Sequence, residues 1–419
     1  MLKFDKQETT GRTSMIALFD AGTFVEMGAF VRRSGDDQPY DAVITGYGSV
    51  NGKLAFAFVQ DSDRKAGALD EIGADKIQKL YAQALRVGAP IIGVFDSAGA
   101  VVYDGASALS AYGRVMSLVS EASGVIPQIA YVNGSCTGMA ATIAAMFDLT
   151  VASGELANNF TAVKAEDAVT AVRALVDLLP RNNKDVNAVD PTDDVARPVA
   201  VSNGVASIAD NGIVTILYEE IGKEVTAALC RMGGITTGLV SLNGKLTADG
   251  ARKAARLVSF CDSFSIPVVT LVDSEGVDYA EAEAVLSYGK LAKAYTTATT
   301  AKVTIVAGKA YGAAFSLMGS LALGADLALA VEGSVISVLA PETAVAFAMN
   351  DKITADKSRA DVEAEWKETY ASSVAAAESG DIDDVIPEAE LRARIISALY
   401  MLAEKADSIP DRKHGVPTL

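Results

Sequence analysis

The sequence predicts an α/β fold built twice, with a largely parallel sheet in each half and helices outside it. Three observations carry this. An apolar β run ending in glycine, a second glycine four residues on and a small-residue helix occur at residues 126–140 (Gly134, Gly138) and again at 301–314 (Gly308, Gly312). The stretch 89–99, Ala-Pro-Ile-Ile-Gly-Val-Phe-Asp-Ser-Ala-Gly, returns at 266–276 as Ile-Pro-Val-Val-Thr-Leu-Val-Asp-Ser-Glu-Gly. Residues 148–152 (Asp-Leu-Thr-Val-Ala) match 326–330 (Asp-Leu-Ala-Leu-Ala). Apolar runs that alternate with helical spacing, repeated in the same order, imply parallel strands joined by helices.

Taken in order, residues 1–14 are polar and read as a loose arm. Residues 15–31 hold a helix end and a turn that leads into a strand. Residues 41–60 form a hairpin, because two β runs flank Asn51-Gly52. Residues 67–87 are helical: Ile72, Ile77, Leu80, Ala84 and Val87 recur near helical spacing. Residues 90–95 form a buried strand that ends in the turn 96–100. A helix over 109–121, the first core stretch and a strand at 148–152 follow. Residues 162–179 look helical, and the polar, turn-rich 180–194 approaches a linker. We place the two domains at 1–200 and 201–419. In the second half, 208–214 echoes 18–25, 231–240 echoes the hairpin, and 252–264 and 280–295 are helices. The most apolar span, 313–330, is interrupted by Asp326 and by glycines. It reads as a buried helix followed by a strand, with membrane insertion the lesser alternative.

Composition narrows the function. Half of the residues are hydrophobic and few are aromatic, so Ala, Val and Gly allow close helix–sheet packing. The formal charge of −17 argues against nucleic acid and against anionic membranes as partners. Three cysteines, Cys136, Cys230 and Cys261, lie far apart with no Cys-x-x-Cys, which fits a reducing, cytoplasmic compartment and offers no zinc site. The one histidine, His414, excludes a multi-histidine metal centre and disfavours a Ser–His–Asp triad. No metal is expected. The charged N-terminus shows no signal peptide.

The repeated stretch carries the chemistry. Its glycines permit a sharp strand-to-helix turn, and the helix start leaves backbone N–H groups unpaired. Such amides can hold a developing negative charge, as an oxyanion hole does. Two copies suggest a reaction between two carbonyl compounds. A tight turn without a catalytic role is the alternative at each copy.

Several longer motifs, in order, identify a family. They are 41–52 (Asp-Ala-Val-Ile-Thr-Gly-Tyr-Gly-Ser-Val-Asn-Gly), 88–99, 122–129, Gly-Ser-Cys-Thr-Gly at 134–138, 255–267, 309–314 and the tail 412–417. From about residue 18 onward the chain resembles the biotin-dependent acyl-CoA carboxyltransferases. The resemblance implies two crotonase-like (ClpP/crotonase, β-β-α superhelix) domains and transfer of a carboxyl group between biotin and the α-carbon of a short acyl-CoA. It assigns Gly138 and Met139 to the thioester oxygen, and Gly312, Ala313 and Ala314 to the biotin ureido oxygen. Asp273, Gly276, Gly308 and Tyr311 then border biotin. Asp96, Ser97, Ala98, Gly99, Gly134 and Lys76 border the acyl-CoA. Each has a plain structural alternative: helix capping for Asp96 and Asp273, a solvated helix face for Lys76 and Lys79, packing for Tyr311. Cys136 reads as a small buried residue. With no Met-Lys-Met site and no ATP-binding glycine loop, biotin would arrive on a separate carrier protein, served by biotin carboxylase or decarboxylase subunits. The resemblance also implies a homo-oligomer, a hexamer.

Four departures from the family bear on activity. Ala100 is followed by Val101 and Val102 where an arginine is usual. The loop after Asp273 is acidic, Ser-Glu-Gly-Val-Asp. Tyr288-Gly289-Lys290 replaces a His-Gly-Lys. The region from 154 to about 198 is shortened and lacks the usual Gly-Pro. Two other classes therefore stand beside the carboxyltransferase: a biotin-independent crotonase-like acyl-CoA enzyme, and a scaffold subunit without activity.

Overall fold

A computed structural model describes residues 8–32, 40–186, 188–411, 413, 415 and 416. The chain divides into two compact units, Met1–Asn187 and Ala188–Leu419.

The first unit is one seven-stranded sheet, in chain order throughout: β1 (Val25–Met27), β2 (Val43–Val50), β3 (Lys53–Gln60), β4 (Ile91–Ser97), β5 (Gln128–Cys136), β6 (Leu149–Ala152) and β7 (Val163–Lys164). β1, β2 and β3 pair antiparallel, and β3 to β7 run parallel. The second unit repeats the plan with β8 (Val214–Leu217), β9 (Val225–Met232), β10 (Ile235–Asn243), β11 (Val268–Ser274), β12 (Lys302–Tyr311), β13 (Leu327–Val331), β14 (Val335–Ser337) and β15 (Asp384–Ile386). Its order is β15-β13-β12-β11-β10-β9-β8, with β14 added to the far end of β12. The predicted duplicated α/β crotonase-like fold is therefore the fold observed.

Local chemistry explains the elements. Asn51 (φ 50) and Gly52 (φ 80) turn the β2–β3 hairpin through two left-handed residues, and Gly233 (φ 59) and Gly234 (φ 81) turn β9–β10 the same way. The helix Glu71–Val87 starts where Asp70 accepts from the Gly73 N–H, and it ends on left-handed Gly88. It buries Ile77, Leu80, Tyr81 and Ala84 against the sheet. Phe58, Phe95 and Phe147 meet edge to face in the same core.

Two expectations change and a third holds. The arm stops being loose at Thr9, whose hydroxyl caps the helix Thr10–Leu18 and whose downstream Met15 and Leu18 are fully buried; residues 1–7 lie outside the described residues. The helix expected over 162–179 opens as β7 and becomes helical only at Ala168–Leu178, after Asp167 caps it. The apolar 313–330 is a short helix, Ala313–Leu317, a 3-10 turn and β13. Among the described residues no helix is long and apolar enough to cross a membrane. Arg412 and His414 of the tail motif fall outside the described residues.

Candidate active site

Each core stretch contains a bulge. β4 pairs Phe95 with Val132 and then Ser97 with Cys136, so Asn133, Gly134 and Ser135 oppose Asp96 alone. β11 pairs Val272 with Val306 and then Ser274 with Ala310, so Ala307, Gly308 and Lys309 oppose Asp273. A bulge strands backbone N–H groups that need a partner. Here the opposing carboxylate supplies it. Ser135 N–H donates to Asp96 Oδ1 at 3.0 Å, and Lys309 N–H donates to Asp273 Oδ1 at 2.9 Å. Ser62 adds its hydroxyl to Asp96 Oδ2 at 2.5 Å. The carboxylates lie directly on the glycines: a Cβ at Gly134 would sit 2.2 Å from Asp96 Oδ1, and one at Gly308 would sit 2.6 Å from Asp273 Oδ1. Glycine is therefore required at both positions. Neither aspartate caps a helix; each holds a bulge.

Past the bulge the chain enters a helix. Gly138 and Gly312 both have φ of +56°, a left-handed conformation that favours glycine. Gly138 opens the helix Gly138–Met146, and Gly312 caps Ala313–Leu317. The first amides of a helix have no partner within it. In the first unit this leaves Gly138 and Met139, both exposed, at the helix start. In the second unit Gly312 N–H is engaged, donating to Ser337 O of β14 at 2.9 Å. Of the two residues that follow, Ala313 lines the cavity described below and Ala314 is buried behind it.

The two strand ends that face these helices are also alike. Gly99 N–H donates to Ser97 Oγ at 3.1 Å, and Gly276 N–H to Ser274 Oγ at 3.2 Å. Gly99 (φ 116) and Gly276 (φ 127) share the same unusual backbone, and their carbonyls accept from Leu69 and Leu246. Ala98 N–H is engaged with Ala66 O at 2.9 Å. These residues shape the rim of each half-site.

Around Gly312 and Ala313 lies a cavity of about 610 Å³, whose walls include Phe315, Ser316, Val338 and Tyr370. Tyr311 is buried beside it, paired with Ser337 in the β12–β14 ladder, and burial raises its phenol above the usual range. Lys309 is tied to Glu275 at 2.9 Å on the outer side.

Two further candidates have structural roles instead. Lys76 is buried in the helix Glu71–Val87 and donates its ammonium to Val43 O, while burial lowers its pKa. Its counterpart Lys253, six residues past the cap of the matching helix, is buried and donates to Ile221 O at 2.8 Å. A repeated lysine-to-carbonyl bond is a feature of the fold. Cys136 is half-buried, and burial pushes its thiol up to about 11, so it stays a thiol at neutral pH. No group of metal-ligating side chains occurs among the described residues.

The bulge clamps and the segment 332–383, which walls the cavity, were not picked out from the sequence. The signal was present for the second: the repeats run in step until residues 152 and 330, and the second half then inserts a long stretch.

The sequence model of the carboxyl transferase domain matches residues 3–159 and 153–417. The propionyl-CoA carboxylase carboxyltransferase subunit of Haloferax mediterranei is 32% identical over 482 aligned positions, covering 98% of this chain and 93% of that protein. The methylmalonyl-CoA decarboxylase subunit alpha of Veillonella parvula is 31% identical, with 97% and 92% covered. Among solved structures, transcarboxylase 12S superimposes with a TM-score of 0.90 at 28% identity, covering 98% of this chain and 92% of that one. That structure is a hexamer assembly described with methylmalonyl-CoA and methylmalonic acid bound.

Proposed function

The chain belongs to the carboxyl transferase family, and on that premise we propose that it moves a carboxyl group between biotin and the α-carbon of an acyl-CoA through two backbone-amide half-sites. The observation that carries this is the duplicated bulge, left-handed glycine and helix start. Each copy is locked by its own carboxylate, at Ser135 N–H and Lys309 N–H.

The amides of Gly138 and Met139 hold the thioester oxygen as it gains charge when the α-carbon attacks. The amides of Ala313 and Ala314 hold the ureido oxygen in the same way. Preorganised donors work without reorienting during the reaction, and removing one typically slows turnover by about 10²–10³. The cavity, walled by Phe315, Val338 and Tyr370 with Ser337, Ser379 and Asp381 as polar lining, is roomy enough for a bicyclic ureido ring. Biotin, when bound, supplies the activated carboxyl group and an acceptor for the α-proton, so no side-chain base is required of this chain. Asp96 and Asp273 are positioning residues that act through the bulges.

The biotin is proposed to arrive on a separate carrier protein, loaded or unloaded by carboxylase or decarboxylase subunits, and the chain is proposed to work as a homo-oligomer, as transcarboxylase 12S does. The test is decarboxylation of methylmalonyl-CoA by the purified chain with and without free biotin. Biotin-dependent loss of the carboxyl group is expected. Loss that ignores biotin would replace this proposal with a biotin-independent crotonase-like enzyme.

A further inference from the structure

The two bulges match, but their support does not. Asp96 has both of its oxygens engaged: Oδ1 takes Ser135 N–H at 3.0 Å, and Oδ2 takes the Ser62 hydroxyl at 2.5 Å. The bulge residue Asn133 is held as well. Its Nδ2 donates to Ser14 Oγ at 2.9 Å, and its Oδ1 accepts the Tyr131 hydroxyl at 2.6 Å. Ser14 and Ser62 share one frame. The helix Thr10–Leu18 gives its first amides to the turn that carries Ser62: Thr10 N–H donates to Asp63 Oδ2 at 2.7 Å, and Gly11 N–H to Asp61 Oδ1 at 3.2 Å. A Cβ at Gly11 would sit 2.7 Å from the Asp61 carboxyl carbon, so helix and turn are in direct contact. One turn along the same helix, Ser14 meets the bulge. Helix, turn, Asp96 and bulge thus form a closed circuit of hydrogen bonds.

The second unit lacks the side chains of this circuit. Leu18 O accepts from Arg173 as Ile208 O does from Arg392, so the residues four before them, Ser14 and Gly204, correspond. The strand register equates Asn133 with Ala307 and Tyr131 with Ile305. Asn243 lies opposite Asp273 in the β10–β11 ladder, which makes Gly244 the counterpart of Ser62. None of Gly204, Gly244, Ile305 and Ala307 has a side chain that can hydrogen-bond. In place of the helix stand two 3-10 turns, Val201–Asn203 and Val205–Ile208, split by Gly204. A cavity of about 280 Å³ lies there, with Gly204, Asn243, Asp273 and Ala307 among its walls. Where the first unit packs a hydrogen-bonded helix against its bulge, the second has a cavity.

We propose that Ser62, Asn133 and Ser14 are positioning residues of the thioester half-site, which fix the direction of the Gly138 and Met139 amides through Asp96 and the bulge, and that the biotin half-site does without such a brace. This rests on the carboxyltransferase reading above. Gly138 follows Gly134 by four residues, so a slip of the bulge passes straight to those amides. Donors held in place act on the step in which the oxygen gains charge, more than on the hold of the ground-state CoA ester.

The experiment uses the full-length chain as purified, with free biotin and methylmalonyl-CoA. Ser62→Ala and Asn133→Ala are compared with the unmodified chain by kcat for biotin-dependent decarboxylation, by acyl-CoA affinity in calorimetry, and by amide hydrogen exchange over 134–139 and 308–314. The result expected is a kcat lower by about 10-fold or more in both variants, on the scale of the ~10²-fold that a misplacement of ~1 Å costs, with affinity kept within about 3-fold. Exchange should quicken over 134–139 and stay unchanged over 308–314. Ser62→Thr, which keeps the hydroxyl, should recover the turnover that Ser62→Ala loses. An unaltered kcat in either variant would overturn the inference. So would a loss of affinity with exchange quickened throughout the first unit, which is the mark of a merely structural role. If the unmodified chain shows no biotin-dependent turnover, the carboxyltransferase reading itself is overturned. Exchange then still decides the brace: unchanged rates over 134–139 in both variants overturn it, and quickened rates confined to that stretch support it.

Discussion

The first and second units hold their hairpins with the same clamp in different surroundings. In the first, Asp20 accepts from Asn51 N–H and Gly52 N–H at 3.0 Å, and Arg173 bridges Asp20 Oδ1 at 2.6 Å and Leu18 O at 2.8 Å. In the second, Asp210 accepts from Gly233 N–H at 2.9 Å and Gly234 N–H at 2.7 Å, and Arg392 bridges Asp210 Oδ1 at 2.6 Å and Ile208 O. Arg173 and Asp20 keep 24% and 29% of their side chains in solvent, whereas Arg392 and Asp210 keep 0% and 5%. One geometry is therefore a partly screened ion pair in one unit and a desolvated one in the other. The comparison teaches that matching hydrogen bonds do not imply matching energetics: breaking a buried pair strands a charge, while breaking a wet pair returns it to water.

The largest effect should come from the bulges, which the units share. Gly134→Val and Gly308→Val each push a side chain into the aspartate that locks the bulge. Steady-state turnover should fall by about 10² or more in either variant, the scale of a lost oxyanion donor, with circular dichroism unchanged. If only one of them falls, just one copy is an active half-site and the symmetric reading fails.

The clamps come next. Arg392→Ala should destabilise the second unit by about 3–5 kcal/mol, because Asp210 is left charged and buried. Arg173→Ala should lower stability by about 1 kcal/mol or less. Denaturant titration that follows both transitions measures this, and equal losses would break the comparison.

The hairpin turns sharpen it further. A Cβ at Gly234 would lie 2.0 Å from Val189 O, but one at Gly52 meets nothing within 4 Å. Gly52→Ala should then carry only the left-handed backbone strain, about 1–2 kcal/mol. Gly234→Ala should exceed that in the same titration.

The smallest effect is on acid stability. Asp20 is held far below the usual carboxylate range, first by Gly52 N–H and then by the Ser49 hydroxyl and Arg173. In the second unit Asp193 is held at about 2, first by Arg197 and then by Asn211 N–H. Depressed folded-state values mean that this stability is present above the unfolded carboxylate range, near pH ~4, and is lost as pH falls. For Asp193 the loss falls between pH ~4 and about 2. Asp20→Asn and Asp193→Asn should each flatten the loss of stability below pH ~4, read from thermal melts at stepped pH. An unaltered slope would contradict the paired geometry.

Much of this symmetry was legible in the residues. The hairpin at Asn51-Gly52, the paired Asp-Ser-x-Gly turns and the two glycine stretches are local signals, set by backbone conformation, and each appears where the residues place it. What stayed hidden was long-range. Asp20 and Arg173 lie far apart in the chain, as do Asp210 and Arg392, and nothing local marks them as partners. Asp96 and Asp273 look like helix caps because they precede serine and glycine; only the two-residue slip in strand pairing reveals the bulge they hold. Lys76 reads as a solvated face because its helix is amphipathic, yet a four-carbon stem carries its ammonium back to Val43 O. The cavity walls at 336–381 escape notice because they match nothing in the first half.

The central claim is that two separate amide half-sites serve one reaction. The most direct measurement is acyl-CoA affinity alongside biotin-dependent turnover of methylmalonyl-CoA for Gly138→Val and Gly312→Val. Gly312→Val should keep methylmalonyl-CoA affinity and lose turnover by about 10² or more, whereas Gly138→Val should lose both. Turnover that survives Gly312→Val, with affinity unchanged, would contradict a second half-site in the reaction.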